Sequence, residues 1–272
     1  MNIKKILQTS YKIGILPLQF LEEPSILPIN KSGLLSFKNK YKGKRCFIVG
    51  NGPSLNKIDL SLLKDEYTFG VNSIFYMTER NGFKPTFYMV EDNHVIYDNI
   101  EEINKYDVPY KFFPSRYKNV INKKENTFFF NMNRGFYEEH SPNFSLPRFS
   151  IDCQDRIYAG QSVTIMNIQL ALYMGFTEVY LIGMDFDYKI TDKDKVSGND
   201  ILSTKDEDDN HFDPRYFGAG KKWHDPKLEN VLVSYKFSRI VYEHFGKSIY
   251  NATPGGKLNV FKRVDYSTLF TK

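Results

Sequence analysis

The sequence predicts a single α/β domain built on a mostly parallel sheet with helices on both faces. Two observations carry this. Short apolar runs alternate with stretches whose aliphatic residues recur at helical spacing, the order that produces parallel strands joined by helices. Polar residues also gather just behind the apolar runs, where open α/β sheets bind ligands beyond the carboxyl ends of their strands.

Residues 1–43 form an N-terminal arm in which Lys4, Lys5 and Lys12 stand among Ile3, Ile6, Leu7, Ile13, Ile15, Leu16 and Leu18. A helix packing on this protein or on a second subunit is the main reading of this basic amphipathic pattern, and peripheral contact with a membrane is the alternative. It lacks a small-residue cleavage site, so secretion is not expected. Residues 44–272 are expected to form one α/β domain with an insert at 187–225. Within it, 46–49 reads as a strand and 56–64 as a helix behind a Ser54 cap. Strands are expected at 68–72 and 86–90, and 126–130 is a further apolar run. Residues 143–147 are loop-like. Residues 162–174 have helical spacing and stop at Gly175, and 178–183 is a buried strand. Residues 228–245 read as the last long helix, and Ser248 opens a final strand that runs into a glycine turn.

Composition narrows the function classes. With 272 residues, 41% hydrophobic and 25% charged, the chain suits one substantial core and is not disordered. The net charge of +5, from 37 basic and 32 acidic residues, is spread along the chain without an arginine-rich block. That argues against nucleic acid and for a small polyanion or an anionic membrane surface. Cys46 and Cys153 are too few and too far apart for a disulfide framework or a zinc site, so a reducing cytoplasm is the expected setting. No run of about 18 apolar residues is available for a membrane span.

The first strand ends in Gly50-Asn51-Gly52-Pro53-Ser54. Gly50 and Gly52 can take positive φ and bring N–H groups close to an anion, while Asn51 and Ser54 add side-chain donors. The loop is neither the dinucleotide fingerprint nor a P-loop, and a plain tight turn is the alternative. Behind the later strands stand Asn72 and Ser73, then Glu91, Asp92 and Asn93, then Asp185 and Tyr188. Four strand ends with polar residues predict a nucleotide or sugar-nucleotide site.

Four pieces together resemble a known group: Gly-Asn-Gly-Pro-Ser-Leu at 50–55, Val-Asn-Ser-Ile-Phe-Tyr at 71–76, Met-Gly-Phe-Thr-Glu-Val-Tyr-Leu-Ile-Gly-Met-Asp-Phe at 174–186, and Asp-Asn-His-Phe at 209–212. They are similar, in this order, to bacterial sialyltransferases of glycosyltransferase family 42. They are also similar to the related DUF115 group, which includes archaeal 6-hydroxymethylpterin pyrophosphokinases and flagellin-modifying nonulosonate transferases. The resemblance implies a Rossmann-like, GT-A-like variant fold with a small lid. It implies an inverting transfer of a sialic-acid-like sugar from a CMP-activated donor to a cell-surface glycan, with no metal or other cofactor required.

The resemblance gives Asn51, Gly52, Ser54 and Asn72 the task of holding the nucleotide, and Gly50, Pro53, Ser73 and Asp185 beside them at the strand ends are expected to share it. Glu91, Asp92, Asn93, Gln161 and Ser162 contact the donated group. Tyr188 stabilises the departing phosphate, and a second tyrosine is not matched. His211 stands where the similar transferases carry their general base, and the acidic run at 206–209 would raise its basicity. A solvated loop or a divalent-cation site is the other reading of that run. His224 is the reserve base and His94 a substrate contact, whereas His140 and His244 read as structural. Lys221 and Lys222, with Arg215, are expected to bring positive charge on a lid hinged at Gly218 and Gly220. Asn251 and Thr253 either reach the nucleotide or belong to an exit turn. A homo-oligomer is expected, with the CMP-linked donor and glycan as partners and the inner face of the membrane as a place of contact.

Two other classes stay open at this point. A pyrophosphokinase would use the same loop for ATP and hold Mg²⁺ on carboxylates such as Glu91, Asp92 and Asp185. A noncatalytic nucleotide-binding protein of surface polysaccharide assembly would bind donor without turnover.

Overall fold

A computed structural model describes residues 33–139, 141–189, 194–197, 200–204 and 208–270. The elements run β1 (Arg45–Val49), β2 (Tyr67–Val71), α1 (Phe75–Asn81), β3 (Phe87–Met89), α2 (Asn93–Asp98), α3 (Ile100–Lys105), β4 (Tyr110–Pro114) and β5 (Thr127–Phe130). They continue through β6 (Met132–Asn133), β7 (Ile157–Tyr158), α4 (Val163–Met174), β8 (Glu178–Ile182), β9 (Lys195–Ser197), β10 (Asp200–Leu202) and β11 (Lys222–His224). The last are α5 (Leu228–His244), β12 (Ser248–Asn251) and β13 (Lys262–Arg263).

Eight strands form a Rossmann-like sheet in the order β13-β12-β8-β1-β2-β3-β4-β5, and every neighbouring pair is parallel. From β1 the chain builds outward to β5 on one side, then returns to β8 on the other. The order therefore reverses between β1 and β8, which opens a crevice at their carboxyl ends. Both faces of the sheet are covered. Cys46 and Ile48 of β1 enter one core with α4 and α5, and Phe47 and Val49 enter the other with α1, α2 and α3. Burial on both sides explains why these strands read as continuous apolar runs.

α4 is buried along its whole length, so it carries apolar residues all round. Ser162 caps its start by accepting the Thr164 N–H, and Gly175, at φ 93°, closes its end. Leu34, Phe37 and Tyr41 are core members; Phe37 meets Tyr110, Phe112 and Phe128 edge-on, and Tyr41 stacks on Phe176. The described part of the expected arm thus packs on the domain, while the lysine-bearing pattern of residues 3–18 lies outside the described residues. No helix among the described residues is long and apolar enough to cross a membrane.

The structure departs from expectation in three places. The helix expected over 56–64 is two 3₁₀ segments, Pro53–Lys57 and Leu60–Leu63, because Ile58 is extended and Asp59 restarts the chain by capping the Ser61 N–H. β4 escapes a hydropathy reading because Lys111 interrupts it. That lysine is 2% exposed, and its ammonium donates to the carbonyls of Ile103 and Tyr106 at the end of α3, 2.7 and 3.0 Å away. Third, the insert holds strands that the sequence did not indicate: β9, β10 and β11 form a small antiparallel sheet in the order β11-β10-β9.

Candidate functional site

A cavity of about 520 Å³ opens at the carboxyl ends of β1, β2, β3 and β8, bounded by β10, β11, residues 210–217 and the start of α5. Gly50, Asn51 and Gly52 line it, but the glycines serve a purpose other than the one expected. Gly52 has φ −67°, and Gly50 is not left-handed either. What they permit is close approach of the loop after β8. A Cβ on Gly50 would sit 2.5 Å from the Gly183 carbonyl oxygen, and one on Gly52 would overlap the Asp185 carboxylate.

The N–H groups of Gly50, Gly52 and Ser54 are also spoken for. Gly50 donates to Ile182 and Gly52 to Gly183, at 2.8 and 2.9 Å. Ser54 donates its N–H at 3.2 Å and its hydroxyl at 2.7 Å to Asp185. The anion at the start of this 3₁₀ turn is therefore the protein's own carboxylate. Pro53, at the first position of that turn, and Ser54 support the cavity from behind and do not line it. Asp185 lines it while holding Ser54.

Asn51 and Asn72 form the floor. The Asn51 amide donates to the Val71 carbonyl (2.9 Å) and to the Tyr216 hydroxyl (3.0 Å). The side-chain carbonyl oxygens of both asparagines are buried without a partner. Buried acceptors normally have one. Both oxygens are closed to the cavity as well as to solvent. Asn72 takes φ 48°, which asparagine tolerates, and its carbonyl accepts the Tyr88 hydroxyl at 2.6 Å. Ser73 is buried behind the floor, outside the lining.

His211 is 7% exposed. Its Nδ1 is 2.7 Å from Asp208 Oδ2 and its Nε2 is 3.4 Å from the Tyr188 hydroxyl. Asp208 is fixed in turn by the N–H groups of Asn210 and Phe217. The Tyr216 ring stacks on the imidazole, 3.9 Å away and within 2° of parallel. A carboxylate on Nδ1 selects the tautomer with its lone pair on Nε2, the arrangement of a base. Desolvation, and secondly Asp208, push the Tyr188 phenol well above its ordinary value, so it stays protonated as a donor. Tyr216 is raised likewise by burial. Asp208 therefore stands out from the acidic run as the partner that orients His211.

Glu91 accepts the Tyr137 hydroxyl at 2.9 Å. Desolvation, then the charge of Asp92, raise its carboxyl to about 7, against the opposing pull of Tyr137, Arg134 and Arg116. Arg116 and Arg134 line the cavity and supply its positive charge with Lys227. Lys221 and Lys222 do not line it. Lys221 is tied to the carbonyl of Arg215 at 2.8 Å, and Arg215 is paired with Asp213 and Glu79, so this segment is pinned by its cations.

Asp92 caps α2 through the Val95 N–H. Asn93, Gln161 and Ser162 line the cavity as expected residues do, and His224 does as well. Glu91, Asp92 and Asp185, the carboxylates considered for Mg²⁺, do not converge. The group of three possible ligands found among the described residues is instead His94, Asp200 and His224. Asn251 and Thr253 brace backbone: Asn251 donates to Leu258, and Thr253 accepts the Met184 N–H. His244 sits at the end of α5 against Phe245, and His140 lies outside the described residues.

Arg116, Arg134, Tyr137 and Tyr216 carry no role in the sequence reading. Arg116 is two residues beyond the end of β4, so the rule that site residues follow strands would have found it had that strand been recognised.

The profile of the family described as 6-hydroxymethylpterin diphosphokinase MptE-like matches residues 25–191. No curated protein matches the sequence. Among solved structures, the chain is similar to the Maf glycosyltransferase from Magnetospirillum magneticum AMB-1, with 17% identity and a TM-score of 0.48, over 86% of this chain and 37% of that one. The chain thus spans little more than a third of that enzyme's length. It is also similar to the sialyltransferase CstII from Campylobacter jejuni, solved with CMP-3FNeuAc (16% identity, TM-score 0.44, 81% of this chain and 86% of that). The same enzyme solved with cytidine-5'-monophosphate gives 15% identity, a TM-score of 0.46, and coverage of 82% and 85%.

Proposed function

The chain belongs to the family described as 6-hydroxymethylpterin diphosphokinase MptE-like, and from the chemistry of its cavity we propose that it is a glycosyltransferase taking an acidic, sialic-acid-like sugar from a CMP-activated donor. The observation that carries the reading is the Asp208–His211 pair, with Nδ1 held at 2.7 Å and Nε2 turned toward the Tyr188 hydroxyl in the cavity. The resemblance of residues 50–55, 71–76, 174–186 and 209–212 to bacterial sialyltransferases supports it.

In this reading His211 Nε2 takes the proton of an acceptor hydroxyl as its oxygen attacks the anomeric carbon. The bond from that carbon to the phosphate oxygen breaks on the opposite face, giving inversion, and CMP leaves with the electron pair. Asp208 stabilises the imidazolium that forms. Tyr188 and Tyr216 remain protonated and donate to the departing phosphate. Tyr216 is the second tyrosine that the motif comparison lacks. Its oxygen already accepts from the Asn51 amide, which leaves its own O–H to give. Arg116 and Arg134 receive the carboxylate of the sugar or the phosphate. Asn51 and Asn72 line the part of the cavity given to the nucleoside.

A second reading, transfer of a diphosphoryl group from ATP with Mg²⁺, is favoured by the family's description. Calorimetric titration with CMP, CDP, UDP and ATP, each with and without Mg²⁺, separates the two. The proposal expects CMP to bind without Mg²⁺ and more tightly than ATP. Mg²⁺-dependent ATP binding with no response to CMP would overturn it.

A further inference from the structure

At the mouth of the cavity, three side chains from three elements meet without taking part in the transfer just described. His94 projects from the first turn of α2, Asp200 opens β10, and His224 ends β11. The antiparallel register sets Asp200 directly opposite His224. Asp200 Oδ1 is 3.0 Å from His224 Nδ1 and 3.4 Å from His94 Nε2, and the two imidazole rings are 4.4 Å apart.

The protonation logic of this group is unusual. His224 Nε2 is 3.2 Å from Asn93 Oδ1. A side-chain carbonyl only accepts, so this contact is a hydrogen bond when Nε2 carries the proton. In the neutral ring the lone pair is then on Nδ1, aimed at an Asp200 oxygen that has only lone pairs to offer. In that tautomer acceptor faces acceptor, and either a proton on Nδ1 or a bound cation removes the conflict. His94 Nε2 approaches the same oxygen.

We propose that His94 Nε2, Asp200 Oδ1 and His224 Nδ1 bind one divalent transition-metal ion of the zinc class. Two imidazoles and a carboxylate suit such an ion and are a poor set for Mg²⁺ or Ca²⁺, which prefer oxygen throughout. The spacing agrees. Ligands about 2.1 Å from a tetrahedral centre stand about 3.4 Å from one another, near the two separations seen here. Asn93 acts in the outer shell by fixing the His224 tautomer, as partners of ligating histidines do. All three ligands are half-buried, so an ion can reach them. Three protein ligands leave a coordination position open. Because Asp200 and His224 line the cavity, that position is within reach of an anionic oxygen of whatever the cavity binds.

The test uses the full chain stripped of metal by a chelator, without nucleotide, so that its result is separate from the transferase reading. Calorimetry with Zn²⁺ is expected to give one ion per chain, with Mg²⁺ failing to compete. His94→Ala, Asp200→Ala and His224→Ala should each weaken binding at least about 100-fold, and Asn93→Ala about 10- to 100-fold. X-ray absorption of the zinc-loaded wild-type chain needs no variant and should show two imidazole ligands. Three results would overturn the proposal: no Zn²⁺ uptake, uptake undiminished in the three ligand variants, or an absorption spectrum without imidazole. Any of these leaves the three side chains as a hydrogen-bonded group at the cavity mouth.

Discussion

Ser54 donates its hydroxyl to the Asp185 carboxylate over 2.7 Å, and with the Ser54 and Gly52 N–H groups it fastens the loop after β1 to the loop after β8 across the point where the strand order reverses. Both walls of the crevice are thereby set by a contact inside the protein. Ser54→Ala is expected to lower unfolding free energy by about 1.5–3 kcal/mol, the range for a hydrogen bond to a charged group. Gly52→Ala should cost more, because its Cβ meets both Asp185 and the Gly183 carbonyl. Urea unfolding measures both. A Ser54→Ala chain of unchanged stability and much weaker CMP binding would mean that the serine serves the phosphate.

The His211 imidazole is held on one edge by Asp208 and on one face by Tyr216, so its direction is fixed before any ligand arrives. Removing it should lower kcat for a CMP-activated acidic sugar by about 10²- to 10⁴-fold, the usual worth of a positioned base. CMP affinity should stay within a few-fold of the parent. Asp208→Asn keeps the shape but loses the charge that stabilises imidazolium, and it also lowers kcat. Equal loss of CMP affinity in these variants would make His211 a binding residue.

Arg116 and Arg134 enter from the ends of β4 and β6, on the side of the cavity where Glu91 lies. If they receive the sugar's carboxylate, each change to alanine should weaken the CMP-sugar by about 10- to 100-fold, as expected for a charge-assisted bond. Free CMP should be affected less. A parallel loss for CMP and CMP-sugar would assign the arginines to the phosphate. Lys222→Ala, at a position outside the lining, should change neither affinity.

The sheet was legible because its central strands are buried on both faces and so read as apolar runs ending in polar loops. β4 was not, since Lys111 hides a charge inside it by capping a helix end that only the tertiary fold brings near. With that strand unread, Arg116 had no strand end to mark it. The glycine loop shows the opposite failure. Its residues were picked out, and Gly50 and Asn51 line the cavity, yet the reason for the glycines is contact with Gly183 and Asp185, more than a hundred residues away. No local pattern encodes that. The Asp200–His224 pairing depends on the register of β10 and β11 inside a segment that reads as polar insert.

Glu91 provides a prediction whose sign can be worked out. Desolvation first, and then Asp92, raise its carboxyl from its ordinary 4.5 to about 7. Between those values the folded chain holds a proton that the unfolded chain has released, so stability falls as pH rises through the window and levels off above about 7. Glu91→Gln retains a carbonyl oxygen for the Tyr137 hydroxyl and removes the titration. The variant should therefore gain on the parent as pH rises from about 5 to about 8, read as the difference in urea midpoints. An anionic sugar seated on Arg116 and Arg134 takes away the charges that pull Glu91 down, so its binding near neutral pH should take up protons, seen as a binding enthalpy that varies with the buffer's ionisation heat. A constant gap between variant and parent across the window would show that Glu91 is ionised throughout, and the expected proton uptake would go with it.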